Sequence, residues 1–181
     1  TGRDYNGEVT VRRARVTDLG DIMRIERESF PTPWSENSMA RELRNQDGSL
    51  YFVVEVAGHV CGYVGGWTFG GQLHILTIAV DREWRGLGLG ELLMLVVLDA
   101  ARQRGCSRAV LEYRVSNVVA EALYRKLGFN AVAVRPGYYV DTGEDAVCAT
   151  IEDLLTDERG AELARLREVW QQKHGWHVVY E

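Results

Sequence analysis

The chain has 181 residues, enough for one domain with a sizeable core. Apolar residues make up 46% and charged residues 26%, and the formal charge is -5, which disfavours a disordered chain and a general nucleic-acid binder with its basic excess. The three cysteines, Cys61, Cys106 and Cys148, are odd in number and far apart, so they imply no disulfide framework and no zinc site; they read as small core residues in a reducing cytosol. No apolar run reaches the ~18 residues of a membrane span and no signal peptide is visible, so a cytoplasmic protein without a membrane partner is expected. The chain opens on Thr1 rather than Met, which leaves its natural start open.

In chain order, Val9 to Val16 alternates as an opening strand. The stretch TDLGDIMRIERESF places Leu19, Ile22, Met23 and Ile25–Glu26 at helical spacing, with Thr17 as the expected N-cap. The prolines of PTPWS stop that helix. Ser35 caps a second short helix, through Met39 and Leu43 to about Asn45. A hairpin follows: Tyr51 to Val56, a turn at Ala57–Gly58–His59, then Val60 to Phe69. The doublet Gly65–Gly66 inside its second strand marks a bulge or a close backbone approach. QLHILTIAV is a continuous apolar strand and is therefore expected to be central. A helix from Gly90 to Gln103 ends at Gly105, and RAVLEYRV is the next strand. SNVVAEALYRKLGF is a helix capped by Ser116 or Asn117 and stopped by Gly128. NAVAVRPGYYV and EDAVCATIEDL form two strands around a turn at Asp141–Gly143.

Hairpins in the first half and alternating strands and helices after Gln72 predict an α/β chain. Its mixed sheet of about seven strands is flanked by helices on both faces, with local parallel pairing. Residues 1–8 read as an N-terminal tail, 9–153 as the main domain and 154–181 as a C-terminal extension. In that extension Leu163, Leu166 and Trp170 fall at helical spacing, and WHVVYE is a candidate final strand. It reads as a helix packed on the core, with an oligomer contact as the alternative.

The segment DREWRGLGLGELLM has the look of a phosphate cradle. A Walker A loop fails, because Glu91 follows Gly90 where a lysine is required. A dinucleotide fingerprint needs other glycine spacing directly after a strand, although Glu112 lies near the distance of its ribose-binding acid. The third reading is R-x-x-G-x-G with Arg85, Gly88 and Gly90. Glycines there let backbone N–H groups close on phosphate oxygens, the helix N-terminus adds partial positive charge, and Arg85 and Arg82 can add counter-charge. A plain glycine-rich turn into a helix is the structural alternative. Downstream, Glu112 is a carboxylate in an otherwise apolar strand. It reads as a solvent-facing edge residue, a partner for Arg114, or a general base for an amine nucleophile. Tyr124 is either a core residue or a proton donor, and Asn117 lies two turns back on about the same helix face.

Together, LTIAVDREWRGLGLGELLM and LEYRVSNVVAEALYRKLGF resemble the GNAT superfamily of acetyl-CoA-dependent N-acetyltransferases. The closer likeness, carried also by FPTPWS and RPGYYVDTGEDA, is to its RimI-like branch, whose members acetylate the N-terminal alanine of a small-subunit ribosomal protein. The resemblance covers roughly Val9 to Asp153. It implies the GNAT fold, acetyl-CoA as cosubstrate without a metal, and direct transfer to a peptide or protein N-terminus, possible acceptors including a ribosomal protein. It further implies that Ile78, Ala79 and Val80 pair with the pantetheine arm, and that Arg85, Gly86, Leu87, Gly88, Leu89, Gly90 and Glu91 hold the pyrophosphate. Asn117 then contacts the cofactor arm, Glu112 acts as general base, and Tyr124 protonates the departing thiolate. Trp34, Tyr138 and Tyr139 match positions that grip the peptide. The sequence departs from the branch in the extra pair Thr32–Pro33, in Val140 for proline, and in Tyr113 for a small aliphatic residue. Acetylation of lysine or small amines, and a non-catalytic CoA-binding sensor, are the competing functions. A monomer or weak homodimer is expected.

Overall fold

The computed structural model describes residues 7–181, so most of the expected 1–8 tail lies outside the described residues. The elements are β1 (Glu8–Arg13), α1 (Leu19–Ser29), α2 (Glu36–Arg44), β2 (Ser49–Val56), β3 (His59–Phe69), β4 (Gln72–Val80) and α3 (Leu89–Gln103). They continue with β5 (Arg108–Arg114), α4 (Val118–Leu127), β6 (Asn130–Tyr139), β7 (Glu144–Ile151), α5 (Asp157–His174) and β8 (His177–Tyr180). The strands form one mixed sheet in the order β6-β7-β5-β4-β3-β2-β1-β8. It has one strand more than expected. The C-terminal strand β8 pairs parallel with β1, from Glu8 opposite His177 to Val11 opposite Tyr180, and so carries the extension into the main sheet. Among the described residues no helix is long and apolar enough to cross a membrane.

Local chemistry accounts for most boundaries. Ser35 accepts the N–H of Ser38 at 3.1 Å, Asn117 that of Ala120 at 3.1 Å and Thr156 that of Arg159 at 3.1 Å, each capping a helix start. Gly128 and Gly175 end α4 and α5 in the left-handed region, at φ 106° and 66°. Thr17 is not the cap of α1. A 3₁₀ turn at Val16–Asp18 precedes the helix, and Asp18 is the residue at its start. The Asp18 carboxylate accepts the Arg15 N–H at 2.7 Å and two guanidinium bonds from Arg12, which Glu55 also grips at 2.6 Å. These bonds hold Asp18 below the usual carboxylate range in spite of its burial.

The sheet separates two cores. Leu50, Phe52, Val54 and Val56 of β2 face α3, α4 and α5, while Tyr51 and Val53 face α1 and α2. Helix α3 is buried over most of its circumference, from Leu89 to Ala101, because α5 covers the side that the sheet does not. Each such Leu or Val contributes about 1.5–3 kcal/mol by leaving water.

Two irregularities in β4 shape the site. Thr77 stands opposite Gly65 and Ile75 opposite Gly66, so Leu76 is an extra residue and β4 bulges there. The glycine doublet marks a close approach, and the bulge lies opposite it on β4 rather than in β3, where it was expected. A Cβ on Gly65 would lie 2.0 Å from the Tyr51 ring, and one on Gly66 would lie 2.3 Å from the backbone oxygen of His74. The second irregularity is that β4 and β5 pair, in parallel as expected, only from Gln72 opposite Arg108 to His74 opposite Val110. The two strands then part. Strand β5 continues with β7 as far as Arg114, and β4 continues with β3 as far as Val80.

Replacing Gly66 with Ala sets a methyl group against main chain that cannot rotate away. Gly66→Ala is expected to lower unfolding free energy by about 1–3 kcal/mol, measured by urea denaturation.

Candidate active site

The parting of β4 and β5 opens a cleft of about 350 Å³ through the sheet. From Ile75 to Val80 the edge of β4 has, among the described residues, no strand beside it on the β5 side. An unpaired backbone edge in mid-sheet is a template for an extended ligand. Residues from both faces reach the cleft. Glu26 and Trp34 come from the α1–α2 side, Ile78 and Tyr124 from the α3–α4 side, and Glu112 from β5 between them.

On the α1–α2 side, Glu26 is buried on α1 and accepts hydrogen bonds from the Trp34 N–H at 3.1 Å, the Thr77 hydroxyl at 3.3 Å and the Tyr63 hydroxyl. Its burial pushes the carboxyl above its ordinary value of 4.5. Across the cleft, Glu112 is neither an edge residue nor a partner of Arg114. It sits on an inner strand with a side chain only 10% exposed, and its Oε2 lies 2.8 Å from Nε2 of His74 on β4. Arg114 instead makes two bonds to Asp141, at 2.8 and 3.1 Å. Its guanidinium carbon lies 4.1 Å from the centre of the Tyr139 ring. The salt bridge and stack fasten the β6–β7 turn over the cleft. Tyr138 packs edge-on against Tyr139 with ring centres 5.1 Å apart. Of the cleft carboxylates, Asp141 is neutralised by Arg114, Glu112 meets the His74 ring and Glu26 is held by neutral donors; a cationic amine suits the last two.

On the opposite side, Ile78 and Val80 lean toward α3 while Ala79 packs against the α1–α2 core; their shared feature is the open backbone edge. Tyr124 is buried on α4, 5.5 Å from the Tyr113 ring and 6.0 Å from Phe129, and lines the cleft. Burial, with Tyr139 and Tyr113 nearby, pushes its hydroxyl up to about 12. Asn117 also lines the cleft, with its side-chain oxygen engaged as the α4 cap.

Beyond Val80 the segment from Arg85 to Glu91 curls into the start of α3. The first intrahelical bond runs from Leu92 N–H to Gly88 O, at 3.1 Å, so the amides of Leu89, Gly90 and Glu91 lack helical partners. Around Gly86 a Cβ would meet nothing within 4 Å, and on Gly90 it would meet only Val80, at 3.8 Å. This open, donor-rich turn at the end of the free β4 edge fits a pyrophosphate. Gly88 differs from the expectation. At φ 80°, its Cβ would collide with His174 Nε2 at 2.4 Å and Trp170 Nε1 at 2.6 Å, so its missing side chain makes room for α5. Arg85 also turns inward: its Nε donates to Val80 O at 2.9 Å and Nη2 to Ser29 at 3.3 Å. Glu91 pairs with Lys126 at 2.7 Å.

The profile of the Acetyltransferase (GNAT) family matches residues 19–129. The chain belongs to the GNAT acetyltransferase family. Among its relatives is a Bacillus subtilis protein provisionally named a [ribosomal protein bS18]-alanine N-acetyltransferase, 37% identical over 77% of this chain and 93% of that protein. An N-alpha-acetyltransferase of Sulfurisphaera tokodaii is 36% identical, over 80% and 91%. The crystal structure of the ribosomal-protein-S18-alanine N-acetyltransferase from Escherichia coli superposes with a TM-score of 0.74 at 31% identity, covering 79% of this chain and 92% of that one. The chain is thus a GNAT N-acetyltransferase, and its mixed sheet with flanking helices is the GNAT fold. Members of this family use acetyl-CoA.

Glu26, His74 and the contacts of α5 with the glycine loop lie outside the site expected from the sequence. Glu26 had left a trace, as a carboxylate on the apolar stripe of α1 beside Ile22 and Met23. His74 had none, since a polar residue in alternation looks like any solvent-facing one.

The raised carboxyl of Glu26 gives a pH signature. Between the unfolded value near 4.5 and the raised folded value, the native state holds more protons, so burial of this group costs stability increasingly as pH rises through that window. Glu26→Gln is therefore expected to gain stability relative to wild type near pH 7 and to lose that advantage below about pH 4. Denaturation curves at both pH values check it.

Proposed function

We propose that this protein transfers the acetyl group of acetyl-CoA to the α-amine of a protein N-terminus, in a ternary complex, with an alanine-starting ribosomal protein made in the same cytoplasm as the foremost acceptor. The observation that carries this reading is the cleft through the split sheet, bordered by Glu26, Glu112 and Tyr124 and by the open β4 edge. The relatives named for α-amine and bS18-alanine acetylation support the choice of acceptor.

Acetyl-CoA, when bound, supplies a thioester whose carbonyl carbon an amine can attack. The backbone of Ile78 to Val80 pairs with its arm, and the amides of Gly86 to Glu91 receive its pyrophosphate. Asn117 borders the arm. Trp34, Tyr138 and Tyr139 wall the acceptor N-terminus, whose positive charge Glu26 and Glu112 attract. An ammonium group cannot attack until it loses a proton. Glu112 takes that proton, directly or through a water, and the His74 contact holds its carboxylate aimed at the cleft. His74 is a positioning residue in this reading. The Tyr124 O–H faces the departing sulfur. With its hydroxyl pushed up to about 12, Tyr124 stays protonated across the neutral range and remains a donor.

Thiol release on incubation with acetyl-CoA and peptides differing in their first residue tests the activity. Alanine-starting peptides are expected to be acetylated on the α-amine, located by mass spectrometry; acetyl found only on lysine ε-amines would reject the acceptor assignment. Tyr124→Phe is expected to lower kcat by roughly 10²-fold with little change in KM for acetyl-CoA, since only a hydroxyl is lost. Glu112→Gln should reduce kcat by a similar order, roughly 10²-fold, with the loss partly offset at high pH, where more of the amine arrives neutral.

A further inference from the structure

The C-terminal extension reaches the glycine loop through three side chains. At the end of α5, Trp170 donates its indole N–H to Gly88 O at 2.8 Å, and Trp176, just past the helix, donates to Leu87 O at 3.4 Å. His174 stacks on Trp170, ring centres 5.2 Å apart, and fills the space that a Gly88 side chain would need. Both indoles are buried, at 1% and 5% exposure. The reversal that brings Trp176 back is itself held. Gly175 takes the left-handed region at φ 66°, and the Gln171 amide donates to Trp176 O. The strand that follows is locked against β1, His177 N–H bonding Gly7 O at 2.7 Å and Glu181 N–H bonding Val11 O at 3.0 Å.

We infer that this extension is a positioning clamp for acetyl-CoA: Trp170 and Trp176 fix the peptide planes of Leu87 and Gly88 so that the loop amides face the pyrophosphate. The inference rests on the reading of residues 85–91 as the pyrophosphate cradle. A trans peptide is planar, and its C=O and the next N–H point in opposite directions. Holding the oxygens of Leu87 and Gly88 toward α5 therefore turns the N–H groups of Gly88 and Leu89 away from α5. Both belong to the run of amides that forms the cradle. Two glycines in this loop sit at φ 80°, Gly86 and Gly88, and glycine populates many backbone states about equally. The Leu92 bond already holds Gly88 O from within α3; the indoles add a second grip there and one on Leu87 O, so less ordering is left to the ligand at the expense of affinity. The clamp moves that ordering into folding. Indole suits the task because it donates a hydrogen bond from a rigid, apolar plate with few rotamers to freeze.

The consequence is specific. The clamp acts on the diphosphate and not on the thioester, so losing it should raise KM for acetyl-CoA while leaving kcat at saturation unchanged. Trp170→Phe and Trp176→Phe keep an aromatic plate and remove only the N–H. Calorimetry with CoA and steady-state kinetics with acetyl-CoA are expected to show affinity and KM weakened about tenfold in Trp170→Phe, and less in Trp176→Phe, whose bond is longer. With S-acetylpantetheine, which lacks the diphosphate, both variants are expected to match wild type. Unchanged CoA affinity in both variants would overturn the clamp. So would equal losses on both donors, which would show a general disturbance of the fold. If wild type favoured CoA no more than acetylpantetheine, the cradle reading itself would fall, and the clamp with it. Should Trp170→Phe not fold, Trp176→Phe decides by the same comparison.

Discussion

The parting of β4 and β5 is the constraint on which the rest of the molecule depends. The two strands hold together for three residue pairs and then each follows its other neighbour. A sheet interior tolerates such a gap only if something else satisfies the exposed edge or leaves it for a ligand. The bulge at Leu76 and the glycines opposite it bend β4 away from β5, and the antiparallel pairing with β7 carries β5 in the other direction. Helix α3 seals the end of the gap with its N-terminus, and α1 and the β6–β7 turn close its far side. Reaction chemistry is then a matter of which side chains border an opening that the backbone has already made.

The order of strands and helices was legible because each element carries its own signal: period, cap or stop. Ser35, Asn117, Gly105 and Gly128 mark boundaries where the structure has them. The start of α1 differs from the expected Thr17 because Asp18 takes the cap position while its side chain is drawn into a buried pair with Arg12 from β1, a tertiary contact with no local trace. The apolar run QLHILTIAV showed that β4 is central but hid its bulge. The extra residue breaks the alternation of faces, so Ile75, Leu76 and Ile78 read as one continuous hydrophobic stretch.

The site was legible where a residue departs from its surroundings. Glu112 is conspicuous as a charge in an apolar strand, and the glycines as a closely spaced run before a helix. Glu112, Asn117, Tyr124, Ile78, Trp34, Tyr138 and Tyr139 all meet at one cleft, although they come from five separate segments. Residues whose meaning lies in their partners stayed hidden. His74 matters because Glu112 is 2.8 Å away, and Gly88 because a tryptophan and a histidine some eighty residues later occupy its missing side chain.

The break in register between Arg135 and Tyr139 on β6 bears on how the sheet presents its outer edge. Strand β6 is an outer edge of the sheet, and Val132 and Val134 lie more than half exposed on it. An edge of that composition invites another strand. Pro136, which has no N–H to offer, sits inside the break and interrupts the ladder that an incoming chain would read. At the other edge, β8 pairs with β1 over four residues. The sheet thus combines a wide opening at its centre with a β6 rim whose exposed valines lie beside a broken, not a regular, ladder.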